Sequence, residues 1–283
     1  MSTPIVLLVL CAALLHAGWN AAVKASADKA LDIVLVTGGA ALLSAFALPW
    51  LPAPQPQSWP HLAASAGIHV VYFALVGAAY RHGDMSYAYP LMRGLPPLLV
   101  ALASGALIGE HLPAGAWGGV LLICGGILSL MLVSRRSAAA SPKARAATAF
   151  ALANAVVIAG YTFVDGTGVR LAGSAAAYTG WVFVLCALPL LGWALLRRPA
   201  DLGRHLRQRW CVGLLGGACT AGGYAMVLLA MAHAPVAMVA ALRETAIVFG
   251  MGLSALVLKE RFGRSRHAAA LAILLGAVVL RLA

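Results

Sequence analysis

Charged side chains are scarce in this chain of 283 residues. Lys, Arg, Asp and Glu make up only 10% of it, whereas 62% is hydrophobic and the mean hydropathy is +0.91. A soluble domain carries about 25% charged and about 45–50% apolar residues. A soluble fold could not bury this much apolar surface, so the composition excludes that class and predicts a polytopic membrane protein.

Acidic side chains are scarcer still. Eight Asp and Glu stand against 20 Lys and Arg, which gives a net charge of +12. In a soluble protein this excess would suggest nucleic-acid binding. Here the basic residues lie mostly in short links between apolar runs, as they do in membrane proteins. We therefore reject nucleic acid as a partner and expect the chain to lie in a lipid bilayer.

Several motifs are missing altogether. The five cysteines form no CxxC pair, and the sequence contains no HExxH, GxSxG or P-loop and no close acidic cluster. We predict no metal, no cofactor, no catalytic residue and no enzymatic activity. The alternating ten-residue segments of a β-barrel are absent too. No basic stretch precedes the first apolar run, so we expect it to be a retained helix rather than a cleaved signal.

What the chain does contain is ten apolar runs of about 20 residues, the length that spans a bilayer. They fall at 4–23, 31–50, 62–80, 86–109, 113–133, 146–168, 174–196, 210–232, 235–258 and 265–282. The expected fold is an all-α integral membrane protein with ten transmembrane helices.

The fourth and ninth runs resemble each other. A shift of 150 positions places Arg93 on Arg243, Ser104 on Ser254, Glu110 on Glu260 and Gly126 on Gly276. Residues 17–20 of the first run likewise match 159–162 of the sixth. We divide the chain into a first half at 1–136, a basic connecting loop at 137–145 and a second half at 146–283. Five helices per half force opposite orientations, so we predict a 5+5 inverted repeat, which is typical of transporters.

The two repeated arginines lie inside apolar runs. An arginine at membrane depth costs about 2.5–3.5 kcal/mol on insertion scales and is tolerated where it faces a cavity or a partner. Pro96 and Pro97 follow Arg93 and disturb the backbone about one turn earlier. Irregular backbone at this depth is typical of a cavity lining. The alternative is that Arg93 reaches back to the nearer membrane interface.

Other polar side chains recur at helical spacing and predict a substrate cavity. The candidate substrate-binding residues are His16, Trp19, Asn20, Tyr89, Arg93, Tyr161, Thr162, Tyr224, Arg243 and Glu244. The alternative for His16 and Asn20 is a hydrogen bond to a neighbouring helix. Adjacent residues diverge by about 100° on a helix, so we expect Glu244 to have a partner other than Arg243, in a structural ion pair or a functional one.

Three acidic residues lie near helix ends. Asp165 fits an interfacial position as well as a functional one. Glu110 and Glu260 stand where the following helix begins, and a carboxylate suits the positive end of a helix. We expect both glutamates to be structural.

The loop charges predict the topology. Sixteen Lys and Arg lie on the side of the membrane reached after odd-numbered runs, whereas the other side holds only Arg170 and Arg281. The positive-inside rule then places both termini outside the cytoplasm.

Two segments carry a family resemblance. GYAMVLLAMAHAPVAMVAALRETAIVFGMGLSALVLKERF near the end and HAGWNAAVK in the first run resemble the EamA family of the drug/metabolite transporter superfamily. The resemblance extends over nearly the whole chain, as two EamA-type repeats. It implies a central cavity and alternating-access export of a small polar metabolite, such as an amino acid or organic anion, across the bacterial inner membrane. Many members have both termini inside, which the loop charges here contradict.

The resemblance provides no ligand motif, so substrate, direction and oligomeric state stay open. Two arginines would suit an anionic or zwitterionic substrate, and His16, Asp165 and Glu244 are candidate proton carriers. The chain has no nucleotide-binding domain, which excludes direct ATP drive by this chain alone. The alternative function is a non-transporting membrane protein, either an enzyme on a lipid-borne substrate or an assembly scaffold.

Overall fold

Helices account for almost all of the structure. The computed structural model describes residues 1–24, 26, 28–82, 85–135, 142–257, 259 and 262–283. Apart from two short 3-10 turns at Leu48–Trp50 and Pro56–Ser58, its elements are α-helices. They are α1 (Thr3–Lys24), α2 (Lys29–Ala47), α3 (Trp59–His82), α4 (Met85–Gly94), α5 (Pro96–Ile108), α6 (Ala114–Arg135), α7 (Pro142–Ala172), α8 (Ala175–Arg197), α9 (Pro199–His233), α10 (Val236–Arg243), α11 (Ala246–Val257) and α12 (Arg264–Leu282).

Ten segments of the described chain are long and apolar enough to span a membrane, and each overlaps one of the ten predicted runs. The fourth span combines α4 with α5, and the ninth combines α10 with α11. Large apolar side chains such as Phe46, Leu107 and Leu256 are 65–81% exposed, as expected of side chains that face lipid. The predicted all-α membrane fold with ten helices is confirmed.

Both composite spans are interrupted within two residues after an arginine. In the fourth span, α4 ends at Gly94 and α5 begins at Pro96, so the predicted disturbance by the prolines is confirmed. In the ninth span, Glu244 and Thr245 separate α10 from α11. No proline lies at this second break. Discontinuous helices of this kind form the substrate sites of many transporters.

Two of the predicted links are partly helical. Helix α7 begins at Pro142, so residues 142–145 of the predicted connecting loop belong to a helix. Residues 136–141 lie outside the described residues. Helix α9 runs through the basic link at 199–209 and is kinked at Arg209, whose backbone departs from helical geometry.

The two predicted halves interlock extensively. Helix α6 packs against α12, α2 against α8 and α9, α3 against α7, and α1 against α9. Exchanging the halves of a 5+5 repeat would map the α3–α7 contact onto the α9–α1 contact. The inverted repeat itself stays a prediction.

Helices α2 and α9 approach so closely that their backbones touch at a glycine seam, which is formed by Gly39, Gly213 and Gly217. A Cβ atom added to Gly39 would overlap the carbonyl oxygen of Gly213, and one added to Gly217 would lie 2.6 Å from the carbonyl carbon of Gly39. Small residues of this kind let membrane helices pack backbone to backbone. The seam therefore joins the two halves without side chains between them.

Charged residues hold the same helix pair at its basic end. Asp32 on α2 is fully buried and accepts hydrogen bonds from Arg209 at 2.7 Å and 2.8 Å, and its Oδ1 lies 2.6 Å from Nε2 of His205. Asp28 caps α2 and pairs with Arg198 at 2.7 Å. Burial alone would raise the pKa of Asp28, but the Leu31 N–H and Arg198 together hold this pKa below its usual range.

The glycine seam leads to a matched pair of substitutions. Gly39→Ala places a methyl group against fixed backbone and is expected to destabilise the protein by about 1–3 kcal/mol or more, as overpacking does. At the adjacent Gly38, an added Cβ would lie 3.5 Å from a Leu191 methyl group, an ordinary contact. Gly38→Ala should therefore unfold near the wild-type temperature in detergent micelles. Equal unfolding temperatures for the two variants would contradict this account of the seam.

Candidate functional site

A cavity of about 130 Å³ lies among the helices and is lined from both predicted halves. Its walls come from α1, α2, α3, α4, α7, α8, α9 and α10. Most of the lining side chains are apolar or aromatic, with a few polar groups among them, which is typical of small-molecule sites. Six of the ten predicted substrate-binding residues line this cavity, namely His16, Trp19, Arg93, Tyr161, Tyr224 and Arg243.

Two arginines, one from each predicted half, share a single carboxylate at the cavity wall. Nε of Arg93 lies 2.9 Å from Oε2 of Glu244, and Nη2 of Arg243 lies 3.8 Å from Oε1 of the same side chain. Each arginine is 7% exposed and Glu244 is 1% exposed. The expected second partner of Glu244 is therefore Arg93, and Arg243 lies close as well because the helix breaks at this point.

The broken helices place this group. Arg93 lies in the last turn of α4, and Arg243 is the last residue of α10. The carbonyl end of a helix favours a cation, because the helix dipole is negative there. In the shift of 150 positions that matches Arg93 with Arg243, the position equivalent to Glu244 is Gly94, so the first half has no carboxylate there. A Cβ atom on Gly94 would lie 3.0 Å from the Leu128 side chain. One half therefore supplies the carboxylate for both arginines.

The site has spare positive charge and spare hydrogen-bond donors. Two guanidinium groups face one carboxylate, which leaves a net charge of +1. Within the described part of the chain, Nη2 of Arg93, Nε of Arg243, Nε1 of Trp19 and Oγ1 of Thr220 are buried without a hydrogen-bond partner. Buried donors are almost always satisfied in native proteins. Four unsatisfied donors around one cavity can therefore bind a ligand that carries acceptor oxygens.

An aromatic wall faces the arginines. The ring of His69 stacks on Tyr161 at 4.5 Å between centroids, and Tyr72 and Tyr224 approach these two rings edge-on at 6.0–6.4 Å. His69 and Tyr72 lie on α3 and were not among the predicted site residues. Ser65, His69 and Tyr72 follow one another at steps of four and three positions, which places them on one face of the helix. This spacing is the sequence signal that could have identified His69 and Tyr72 as cavity residues.

Asp165 is a buried anchor rather than an interfacial group. It is 1% exposed, and its two oxygens accept hydrogen bonds from Tyr178 at 3.0 Å and from Tyr224. Tyr224 lines the cavity, whereas Tyr178 is fully buried. Asp165 therefore connects α7 to α8 and α9 and fixes one polar group of the cavity wall.

Four predicted site residues lie outside the cavity lining. The Asn20 amide donates to the carbonyl oxygen of His16 at 2.7 Å, and the Thr162 hydroxyl donates to that of Ile158 at 2.7 Å. Both side chains therefore bond to their own helix. Tyr89 is half-buried on α4, one turn before Arg93. Glu244 lies behind the arginines that it pairs with.

Glu110 and Arg170 form a clamp between the halves. Glu110 was expected to stand at the positive end of the next helix, α6. Instead it accepts a hydrogen bond from the Val236 N–H at 2.8 Å, at the start of α10 in the other half, and one from Arg170 at 2.6 Å. Arg170 also donates to the carbonyl oxygens of Met231 and Ala234. Glu110 therefore lies at the positive end of α10 rather than of α6. Glu260, its predicted counterpart, lies outside the described residues.

The number of spans and the two interrupted helices indicate a class of membrane protein. The ten spans, two of them interrupted beside buried arginines at a cavity, are typical of multi-pass membrane transporters. In the described ranges, no three His, Cys, Asp or Glu side chains lie together as metal ligands would.

The family follows from sequence comparison. Residues 145–282 match the family model described as the EamA-like transporter family. This family is part of the drug/metabolite transporter superfamily. The match covers the second predicted half, so an EamA-type repeat in the first half stays a prediction.

The fold has solved counterparts. A crystal structure with 20% sequence identity superposes with a TM-score of 0.75 over 100% of this chain and 98% of that chain. At this identity the similarity shows the fold alone. No functionally curated sequence matches the chain.

Proposed function

We propose that the protein is a secondary transporter or facilitator that moves a small anionic or zwitterionic metabolite across the bacterial inner membrane by alternating access. The observation that carries this proposal is the pair formed by Arg93 and Arg243. They are buried at a cavity, share one carboxylate and keep unsatisfied donors.

The arginine pair favours a carboxylate or phosphate group on the substrate. A guanidinium group presents a planar fork of donors that matches these anions in two-point contacts. The group formed by Arg93, Arg243 and Glu244 carries a local charge of +1, which attracts an anion to this side of the cavity. The aromatic wall of His69, Tyr72 and Tyr161 would contact the less polar part of the substrate. An assembly scaffold, in contrast, would need neither a cavity nor a charged pair beside it.

Alternating access needs one closed and one open face. The clamp of Glu110 and Arg170 joins the two halves at the face that carries few charges, and it supports the view that this face is closed here. We propose export as the direction, as the family resemblance implies. Amino acids and organic anions are the substrates that we propose to test first.

A thermal-shift screen of the purified protein tests the substrate class. The panel contains glutamate, malate, phosphonoacetate, a neutral amino acid and a cationic drug. A ligand at 100 times its Kd stabilises the native state by about 2.7 kcal/mol, so we expect the anions to raise the unfolding temperature and the cationic drug to leave it unchanged. Counterflow of the best ligand in proteoliposomes then tests transport. Stabilisation by the cationic drug alone would overturn the proposal.

The proposed orientation has its own test. With sixteen basic residues on one side, both termini should lie outside the cytoplasm. Alkaline phosphatase fused after Ala283 should therefore be active, and a fluorescent protein at the same point should stay dark. A glowing fluorescent protein with inactive phosphatase would place the termini inside.

A further inference from the structure

Asp165 is a buried carboxylate without a cation. Within the described ranges, no Lys, Arg or His nitrogen forms a salt bridge with it, and its oxygens are bonded by the hydroxyl groups of Tyr178 and Tyr224 alone. Two further ionisable side chains lie near Asp165, one on α8 and one on α3. Cys186 on α8 lies close enough to interact with its charge, and His61 on α3 lies against Gly168, three residues further along α7. A carboxylate in such a place at membrane depth is a candidate for exchanging a proton.

The structure distinguishes Asp165 from the two other candidate proton carriers. Glu244 lies between two guanidinium groups, so its carboxylate already has two cationic partners. His16 lines the same cavity as those two arginines, and the net positive charge opposes a further proton there. Asp165 alone of the three has neither a paired cation nor an excess of positive charge against it.

Asp165 also has a connection to the cavity. Tyr224 lines the cavity and donates its hydroxyl hydrogen to Oδ2 of Asp165. A proton can reach the carboxylate in one concerted step. A hydronium ion in the cavity gives a proton to the Tyr224 oxygen while the Tyr224 hydroxyl hydrogen passes to Oδ2, so that a water molecule is left in the cavity and the tyrosine ends unchanged. Tyr178, on the opposite oxygen, is fully buried and offers no such path.

The charges around the cavity explain why a proton should bind together with the anion. With the histidines neutral, Arg93, Arg243, Glu244 and ionised Asp165 add up to zero. A bound monoanion would bring the total to −1, which a low-dielectric interior opposes. One proton on Asp165 restores zero.

We propose that Asp165 binds one proton together with each monoanion, so that the protein is an electroneutral proton–anion symporter. This inference rests on the proposed function. Export then requires an outward metabolite gradient that exceeds the inward proton gradient.

The test uses proteoliposomes that contain wild-type protein or the variants Asp165→Asn, Tyr224→Phe and Tyr178→Phe. Labelled glutamate is the probe, because it is the one monoanion of the screen at neutral pH. Uptake is measured under a pH gradient or under a potassium–valinomycin potential. With one proton per anion, the wild type should accumulate the probe about 10-fold per pH unit and should not respond to the potential.

Asp165→Asn keeps the side chain's shape and a hydrogen-bonding group for each tyrosine. Its empty site carries +1 and its loaded site zero, so each cycle moves one net charge. It should ignore the pH gradient and accumulate or exclude the probe about 50-fold at 100 mV. Tyr224→Phe should slow proton-coupled uptake more than Tyr178→Phe does, because of these two tyrosines only Tyr224 lines the cavity, and both variants should keep one proton per anion.

The outcomes separate the two proposals. Wild-type uptake that follows the potential, or Asp165→Asn uptake that still follows the pH gradient, overturns the role of Asp165. A structural role alone would lower the rate and leave the response to both gradients unchanged. If no anion of the panel binds to or moves through the wild type, the proposed function itself fails.

Discussion

Glu244→Ala is expected to destabilise the protein by about 3–5 kcal/mol, the cost of breaking a buried ion pair by removing one partner. The reason is that two buried guanidinium groups lose the carboxylate that they share. Thermal unfolding in detergent micelles measures the effect.

An exposed ion pair of the same chain provides the control. Asp201 is 42% exposed and bonds Arg198 at 3.0 Å. Its replacement by alanine should cost at most about 1 kcal/mol, as is usual for exposed ion pairs. Adding Arg93→Ala to Glu244→Ala should recover part of the lost stability, because one of the two unpaired cations is then gone. If Glu244→Ala unfolds near the wild-type temperature, the carboxylate does not hold the pair.

Arg93→Ala and Arg243→Ala are each expected to weaken anion binding at least about 30-fold, because truncating one partner of a buried charge pair costs about 2 kcal/mol or more. The effect of Arg243→Ala on binding should be the larger. Arg243 lies 3.8 Å from Glu244, against 2.9 Å for Arg93, so more of its charge is free for a ligand.

Titration of the unfolding temperature with the best anion gives the apparent Kd, and counterflow gives the rate. Arg207→Ala is the matched control, because Arg207 lies exposed on the first segment of α9. It should bind and transport as the wild type does. Normal flux through Arg93→Ala or Arg243→Ala, at normal expression, would remove the arginine pair from the substrate site.

The parts of the site that could be predicted are those encoded locally. Arg93 beside two prolines indicates a disturbed helix wherever the chain folds, because proline removes a backbone donor. The repeat then identifies Arg243. The joining of both arginines at Glu244 depends on the tertiary packing that brings the ends of α4 and α10 to one cavity, which no local pattern contains.

Hydrogen bonding within a helix explains two other differences. Asn20 and Thr162 lie at the right spacing for a cavity, but a short polar side chain can instead bond the carbonyl oxygen four residues back. His69 and Tyr72 show the reverse case. On an apolar helix, aromatic side chains are typical of packing, and here only the positions of α7 and α9 bring them into the cavity wall.

The glycine seam bears on how the protein can move. Backbone atoms of α2 and α9 touch there, and Asp32, Arg209 and His205 tie the same helices together at one end. Pulling them apart would expose polar backbone and a buried carboxylate at membrane depth, which is far more costly than sliding apolar side chains past one another. A rocking motion needs a line about which it turns. Under the proposed alternating access, the seam is suited to be that hinge, and the opening and closing are expected where side chains, rather than backbones, separate the halves.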